Sequence, residues 1–251
     1  MYQRTINKEV EFEGVGLHTG VHTKLKIIPS SENTGIIFRI NQYDIKANID
    51  NVYESSKRGT TLEHNGQKVY TVEHILSALY GLEIDNAIIE INNVEIPILD
   101  GSNSEYVEKI LSVGIKTLDQ KKEELVINEP IEIKNKDSNI AIYPYDGLKI
   151  TFEIDFDNEN IGKQSFTLNS LNDYESQISG SRTFCTFNEI IELKKMGLIL
   201  GGNLDNAIIY TDDSLSIEKI REFNHSNPFQ IEESLEKHTI NINNKKLLFD
   251  N

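Results

Sequence analysis

Basic residues, cysteine and long apolar runs are what this chain has little of. Lys and Arg number 25 against 40 Asp and Glu, for a formal net charge of −15. Proteins that bind nucleic acid or anionic lipid in general need a basic face, so neither class of partner is expected. The single cysteine, Cys185, leaves no intramolecular disulfide and no cysteine-built zinc cage. No run of about 18 apolar residues occurs, so no membrane-spanning helix is expected. The amino-terminal MYQRTINKEVEFEG lacks the apolar centre of a secretory signal. A cytoplasmic location follows as the expectation. Histidine is scarce too: His18, His22, His64, His74, His225 and His238 are the six imidazoles available to a metal. What is present is ordinary for a globular protein, with 26% charged and 38% apolar residues. The 251 residues make one large domain or two small ones.

Apolar spacing then divides the chain. Residues 21–28 (VHTKLKII) alternate like a half-buried strand, and 35–40 (GIIFRI) read as a more buried one. The polar stretch 31–34 between them predicts a hairpin. Residues 71–82 (TVEHILSALYGL) predict a helix with Val72, Ile75, Leu76 and Leu79 on one stripe, Thr71 as cap and Gly81 as stop. A strand at 84–91 is closed by Pro97 and Asp100-Gly101. A second helix spans 103–113, with Ser102 and Glu105 as a capping box and Tyr106, Val107, Ile110 and Leu111 as its buried face; Gly114 ends it. The charged stretch 117–124 reads as a connector and a domain boundary. Beyond it, 125–134 predict a long or bent strand. Residues 140–145 and 148–156 predict strands joined by a tight turn at Asp146-Gly147, 187–196 a helix, and 206–210 a short strand. From 214 to 246 the polar composition without periodicity predicts an exposed insertion. The expected class is α+β, with two layered domains at 1–118 and 124–251.

Four stretches carry residue types suited to chemistry. Gly14 to Gly20 (GVGLHTG) packs three glycines into seven residues, which fits either a plain turn with an exposed His18 or a close approach to a ligand. Glu73-His74 stands in the first turn of the predicted helix. An acidic residue is favoured there by the helix dipole alone. The functional alternative is a metal-ligating histidine beside a general base. Residues 95–102 (EIPILDGS) suit a strand-to-helix turn. Residues 179–184 (SGSRTF) and 197–202 (GLILGG) flank one apolar helix, which is either a surface helix or a lid over an apolar ligand.

Taken together and in this order, these stretches resemble one family. GVGLHTG at 14–20, RGTTL at 58–62, TVEHILSALYGLEIDNAIIEI at 71–91, EIPILDGS at 95–102, IDF at 154–156, SRTF at 181–184 and GLILGGNLDNAI at 197–208 are similar to the UDP-3-O-acyl-N-acetylglucosamine deacetylases, zinc amidases of lipid A synthesis. The resemblance covers the chain to about Asp213. It implies a two-domain β-α-α-β sandwich, each domain a sheet packed on two helices. It implies hydrolysis of the N-acetyl amide of UDP-3-O-acyl-N-acetylglucosamine, with release of acetate. His74 matches a zinc ligand, Glu73 the base that activates zinc-bound water, and Thr183 a residue that stabilises the oxyanion. His18, Thr60, Phe156, Phe184, Ile190 and Gly202 fall at matching substrate positions, with Phe184 and the 187–196 helix walling an acyl passage. Thr186 stands where many relatives carry a bulkier apolar residue.

The match departs from the family at its zinc site. A catalytic zinc takes three protein ligands, and the resemblance implies that a His and an Asp come from a later HKxxD helix. Four residues after His238 stands Ile242, and four after His225 stands Phe229, so neither supplies that spacing. Lys246 to Asn251 looks like the stretch that precedes HKxxD. The expectation is therefore a fragment, its second domain incomplete, binding zinc weakly and inactive by itself. The competing expectations are a non-catalytic paralogue that binds a sugar nucleotide or acyl chain, and an unrelated acidic interaction domain.

Overall fold

The structure, a computed structural model, describes residues 1–55, 58–158, 160–210, 239–242 and 245–248. The first half contains β1 (Tyr2–Ile6), β2 (Val10–Val15), β3 (His22–Pro29), β4 (Ile36–Ile40), β5 (Tyr43–Lys46), β6 (Leu62–His64), β7 (Gln67–Val69), α1 (Glu73–Gly81), β8 (Ala87–Ile91), α2 (Ser104–Val113) and β9 (Ile115–Lys121). The second contains β10 (Ile131–Asn135), β11 (Ser138–Ile142), β12 (Ile150–Asp155), β13 (Lys163–Leu168), α3 (Tyr174–Gln177), β14 (Phe184–Thr186), α4 (Phe187–Lys195), β15 (Ile208–Tyr210), β16 (Thr239–Ile242) and β17 (Lys245–Leu248). The class is α+β. No helix among the described residues is long and apolar enough to cross a membrane.

The main sheet has the order β2-β3-β8-β4-β5. Its strands bury alternate residues, as period two requires: Phe12, Leu25 and Ile27, Ala87, Ile89 and Ile91, Phe38 and Ile40, and Ile45 all lie in one core. Ile75, Ala78 and Leu79 of α1, with Tyr106, Val107 and Ile110 of α2, complete that core. Phe12 and Tyr106 meet at 4.7 Å between ring centroids. A second cluster packs Phe187, Ile190 and Leu193 of α4 against Ile199 and Ile209. There β14 and β15 run parallel across α4, within a sheet of order β14-β15-β17-β16.

Several expectations are corrected. The 31–34 turn closes no hairpin, because β8 lies between β3 and β4, antiparallel to the first and parallel to the second. A polar turn marks where the chain reverses; here the crossover through α1 decides which strand fills the adjacent place. Likewise Asp146-Gly147 joins no paired strands: β11 pairs with β10 and β12 with β13. The 117–124 connector is largely strand β9, paired with β1 along an exposed ribbon where polar residues are tolerated. Residues 125–130 form no strand. Residues 239–242 and 245–248, which overlap the end of the expected 214–246 insertion, form the β16–β17 hairpin, while 211–238 lie outside the described residues.

The caps are also rearranged. The N-cap position of α1 is Val72, with no side-chain bond; the Thr71 hydroxyl donates to Glu95 instead. Gly81 is the last residue of α1, and a Cβ there would collide with the Tyr174 ring. Asn103, not Ser102, precedes α2. Ser102 Oγ donates to the Asp100 carboxylate at 2.8 Å, and Glu105 pairs with Lys109 at 2.7 Å, so no capping box forms. Leu111 is 37% exposed rather than buried. Gly114 ends α2 at φ +82°, as read.

Candidate active site

Three loops of the first half converge on the start of α1. In the 14–20 loop, His18 shares a 2.9 Å hydrogen bond between Nε2 and the Arg58 carbonyl. A carbonyl only accepts, so Nε2 donates; Nδ1 is buried without a hydrogen-bond partner among the described residues. The next residues of the 58–62 loop reach α1. The Thr60 N–H donates to Glu73 Oε2 at 2.9 Å, and a Cβ at Gly59 would stand 3.3 Å from Glu73 Oε1. Glycine at 59 therefore lets backbone lie close to this carboxylate.

His74 follows Glu73 on α1. Burial lowers its pKa below the ordinary imidazole value, and the charges of Glu73 and Asp100 oppose that lowering without cancelling it. The imidazole is thus biased towards its neutral form, the form that can bind a metal. Asp100 comes from the 95–102 loop, where its carboxylate accepts from Ser102 N–H at 2.9 Å.

The second half closes on the same place. Thr183 N–H donates to the Gly101 carbonyl at 2.8 Å, and the Thr183 methyl packs against Gly101. Arg182 fastens this junction, donating to the carbonyls of Asp100 (2.7 Å), Leu204 (3.0 Å) and Asp205. Leu200 N–H and Gly201 N–H each donate at 3.1 Å, to His18 O and Leu17 O. Arg58 pairs with Glu189 of α4 at 2.8 Å. Burial alone would raise the Glu189 pKa, but the Thr186 donors and the Arg58 charge outweigh it and hold it low. Phe184 stands edge-on between Phe156 (5.6 Å) and Tyr210 (5.5 Å). Burial first, then the Glu189 charge, push the Cys185 thiol up to about 12, which disfavours the reactive thiolate.

The structure therefore gathers His18, Thr60, Glu73, His74 and Thr183 in linked segments. Phe156 meets Phe184 edge-on. Ile190 is 2% exposed and lies inside the α4 cluster, and Gly202 is buried beside Leu17. Composition gave no sign of Glu95, Asp100, Arg58 or Glu189 as site residues, because their partners are distant in sequence. A signal that does coincide is backbone strain. Arg58, Thr71, Leu99 and Ile199 have φ between +53° and +59°, although Asn33, Asn41, Gln42, Asn65 and Glu83 are also at positive φ, away from these loops. Non-glycine residues there cost of order 1–3 kcal/mol each and gather at functional sites.

Among the described residues no group of three or more His, Cys, Asp or Glu could hold a metal ion. One imidazole with neighbouring carboxylates is not the three-ligand set of a catalytic zinc. His225 and His238 lie outside the described residues.

The family model for UDP-3-O-acyl N-acetylglycosamine deacetylase matches residues 3–225. The chain belongs to this deacetylase family. A UDP-3-O-acyl-N-acetylglucosamine deacetylase of Nautilia profundicola is 37% identical over 223 residues, 88% of this chain and 76% of the relative. A protein named bifunctional enzyme LpxC/FabZ, of Chlorobaculum tepidum, is 39% identical over 228 residues, 88% of this chain and 49% of the relative. A second of that name, of Porphyromonas gingivalis, is 34% identical over 99% of this chain and 54% of its own length. The chain thus spans about half the length of the bifunctional relatives of this deacetylase family.

Proposed function

We propose that the protein hydrolyses the N-acetyl amide of UDP-3-O-acyl-N-acetylglucosamine, releasing acetate and a free glucosamine amine, in lipid A synthesis in the cytoplasm. The observation that carries the reading is the Glu73-His74 pair in a partly enclosed site. The carboxylate is oriented by the Thr60 N–H, and the imidazole is biased to its neutral form. Membership of the deacetylase family supports it.

In this reading Glu73 is the general base that takes a proton from the attacking water, a role worth roughly 10²–10⁴ in rate. Thr183 contributes to holding the developing oxyanion. Among the described residues His74 would be one ligand for zinc, which when bound would lower the pKa of a water to about 7. The described residues complete no ligand set for the ion, so this reading requires further ligands from outside them, and it stands against the expectation that the chain is inactive by itself. What they contribute is base, orientation and oxyanion contact. His18, Thr60, Phe156, Phe184, Ile190 and Gly202 contribute to the substrate cleft, with the aromatic pair and α4 at its apolar side.

The test is product formation. Incubation with UDP-3-O-acyl-N-acetylglucosamine is expected to yield acetate and the free amine in equal amounts by mass spectrometry. Binding of the substrate with no acetate released, at any zinc concentration, would contradict the proposal.

A further inference from the structure

Glu95 is a carboxylate with no part in the roles above. It lies between β8 and α2 and is fully buried, at 0% exposure. Burying a carboxylate is costly unless every lone pair it presents is met, and here four donors meet it. Oε1 accepts from His18 N–H at 2.9 Å and from the Thr71 hydroxyl at 2.7 Å. Oε2 accepts from Thr19 N–H at 2.7 Å and from the Thr19 hydroxyl at 2.5 Å. Two of these donors are backbone groups of the glycine-rich loop. The Thr71 hydroxyl belongs to the lead into α1.

The surroundings are built for this contact. A Cβ at Gly16 would collide with Glu95 Oε2, so the loop closes over the carboxylate only because residue 16 has no side chain. Thr71 is β-branched yet sits at φ +59°, a conformation that needs its surroundings to hold it. The Glu95 backbone is fixed beside it: Tyr70 N–H donates to Val94 O at 2.9 Å, and Ile96 N–H to Tyr70 O at 3.2 Å. A single side chain therefore joins the loop that carries His18 to the turn whose next residues are Glu73 and His74.

We infer that Glu95 is the positioning residue of the site, holding the His18 loop in register with the start of α1. It touches no reacting atom in this account; it acts through the two segments it ties. The kinetic consequence rests on the deacetylase reading, whereas the consequence for loop order does not.

The test uses Glu95→Gln and the isosteric Thr71→Val, with Ile45→Ala in β5 as a control that lowers Tm away from the site. Gln presents one acceptor oxygen in place of two, so a buried N–H of the loop loses its partner. For Glu95→Gln, kcat for acetate release is expected to fall about tenfold or more while KM moves less than about threefold. The amides of residues 17–20 should exchange about tenfold faster, those of β3 and β8 at unchanged rates. Thr71→Val should shift both readouts in the same direction and by less. Ile45→Ala should lose Tm but keep kcat per folded molecule. Folded variants with unchanged kcat and unchanged exchange at 17–20 would overturn the inference, as would an equal kcat loss in Ile45→Ala. If Glu95→Gln does not fold, Thr71→Val decides alone. If the wild-type protein releases no acetate, the deacetylase reading fails by itself. Amide exchange at 17–20 and the His18 imidazole nitrogen shifts then decide for Glu95, and no change in either overturns it.

Discussion

Thr71, Leu99, Arg58 and Ile199 belong to four separate stretches of sequence and share one backbone anomaly, a positive φ without glycine. Asn33, Asn41, Gln42, Asn65 and Glu83 share the anomaly in turns away from these loops, so strain accompanies the candidate site without singling it out. His74 should make the stability of the fold depend on pH. Its folded pKa is lowered, chiefly by burial, so the unfolded chain takes up the imidazole proton at a higher pH than the folded one. The folded state is then undisturbed above an ordinary histidine pKa of about 6.5 and loses stability as pH falls below it. Urea midpoints measured from about pH 8 to pH 5 should drop more steeply for the wild type than for His74→Gln; parallel profiles would contradict this. At this scale the sequence was partly readable. Glu73 and His74 stand adjacent, in a helix whose period is plain. Glu95 was not readable, because the amides it accepts from are 76 and 77 positions away, and EIPILDGS explains itself as a turn.

The helices show why elements were easier to find than their ends. Apolar spacing placed α1, α2 and α4 within two residues. Their caps depended on competition for single hydroxyls. Ser102-x-x-Glu105 and Thr186-x-x-Glu189 carry the same signature. At α2, Asp100 takes the Ser102 hydroxyl, and no box forms. At α4, Thr186 Oγ1 accepts from Glu189 N–H at 3.3 Å, while the Glu189 carboxylate accepts from Thr186 N–H at 2.9 Å, so the box is complete. Thr186→Ala is expected to cost about 0.5–2 kcal/mol by chemical denaturation, as lost N-caps do. Because Glu189 also pairs with Arg58, the Thr186→Ala change should loosen the 58–62 loop as read by amide exchange. A variant with full stability and an unchanged loop would show that the box is idle.

At the scale of the whole molecule, the α+β class follows from local periods, but strand order does not. Nothing local in GIIFRI or AIIEI says that the second is inserted beside the first in parallel. How the two halves meet was equally hidden. Tyr174 of α3 is buried in the first half's core, where Gly81 leaves room for its ring. Its hydroxyl shares a 2.7 Å hydrogen bond with Ser77 Oγ and accepts from Asn103 Nδ2 at 2.9 Å. Tyr174→Phe keeps the ring and strands these partners, so stability should fall by about 1–3 kcal/mol in denaturant titrations; no loss would mean that the hydroxyl does not pin the halves together. In the proposed reaction this joined structure presents Glu73 as the base of an amide hydrolysis. The most direct test is kcat for acetate release from UDP-3-O-acyl-N-acetylglucosamine by the wild type and by Glu73→Gln, matched for folding by circular dichroism. A fall of about 100-fold or more is predicted for the variant, and equal rates would contradict the claim.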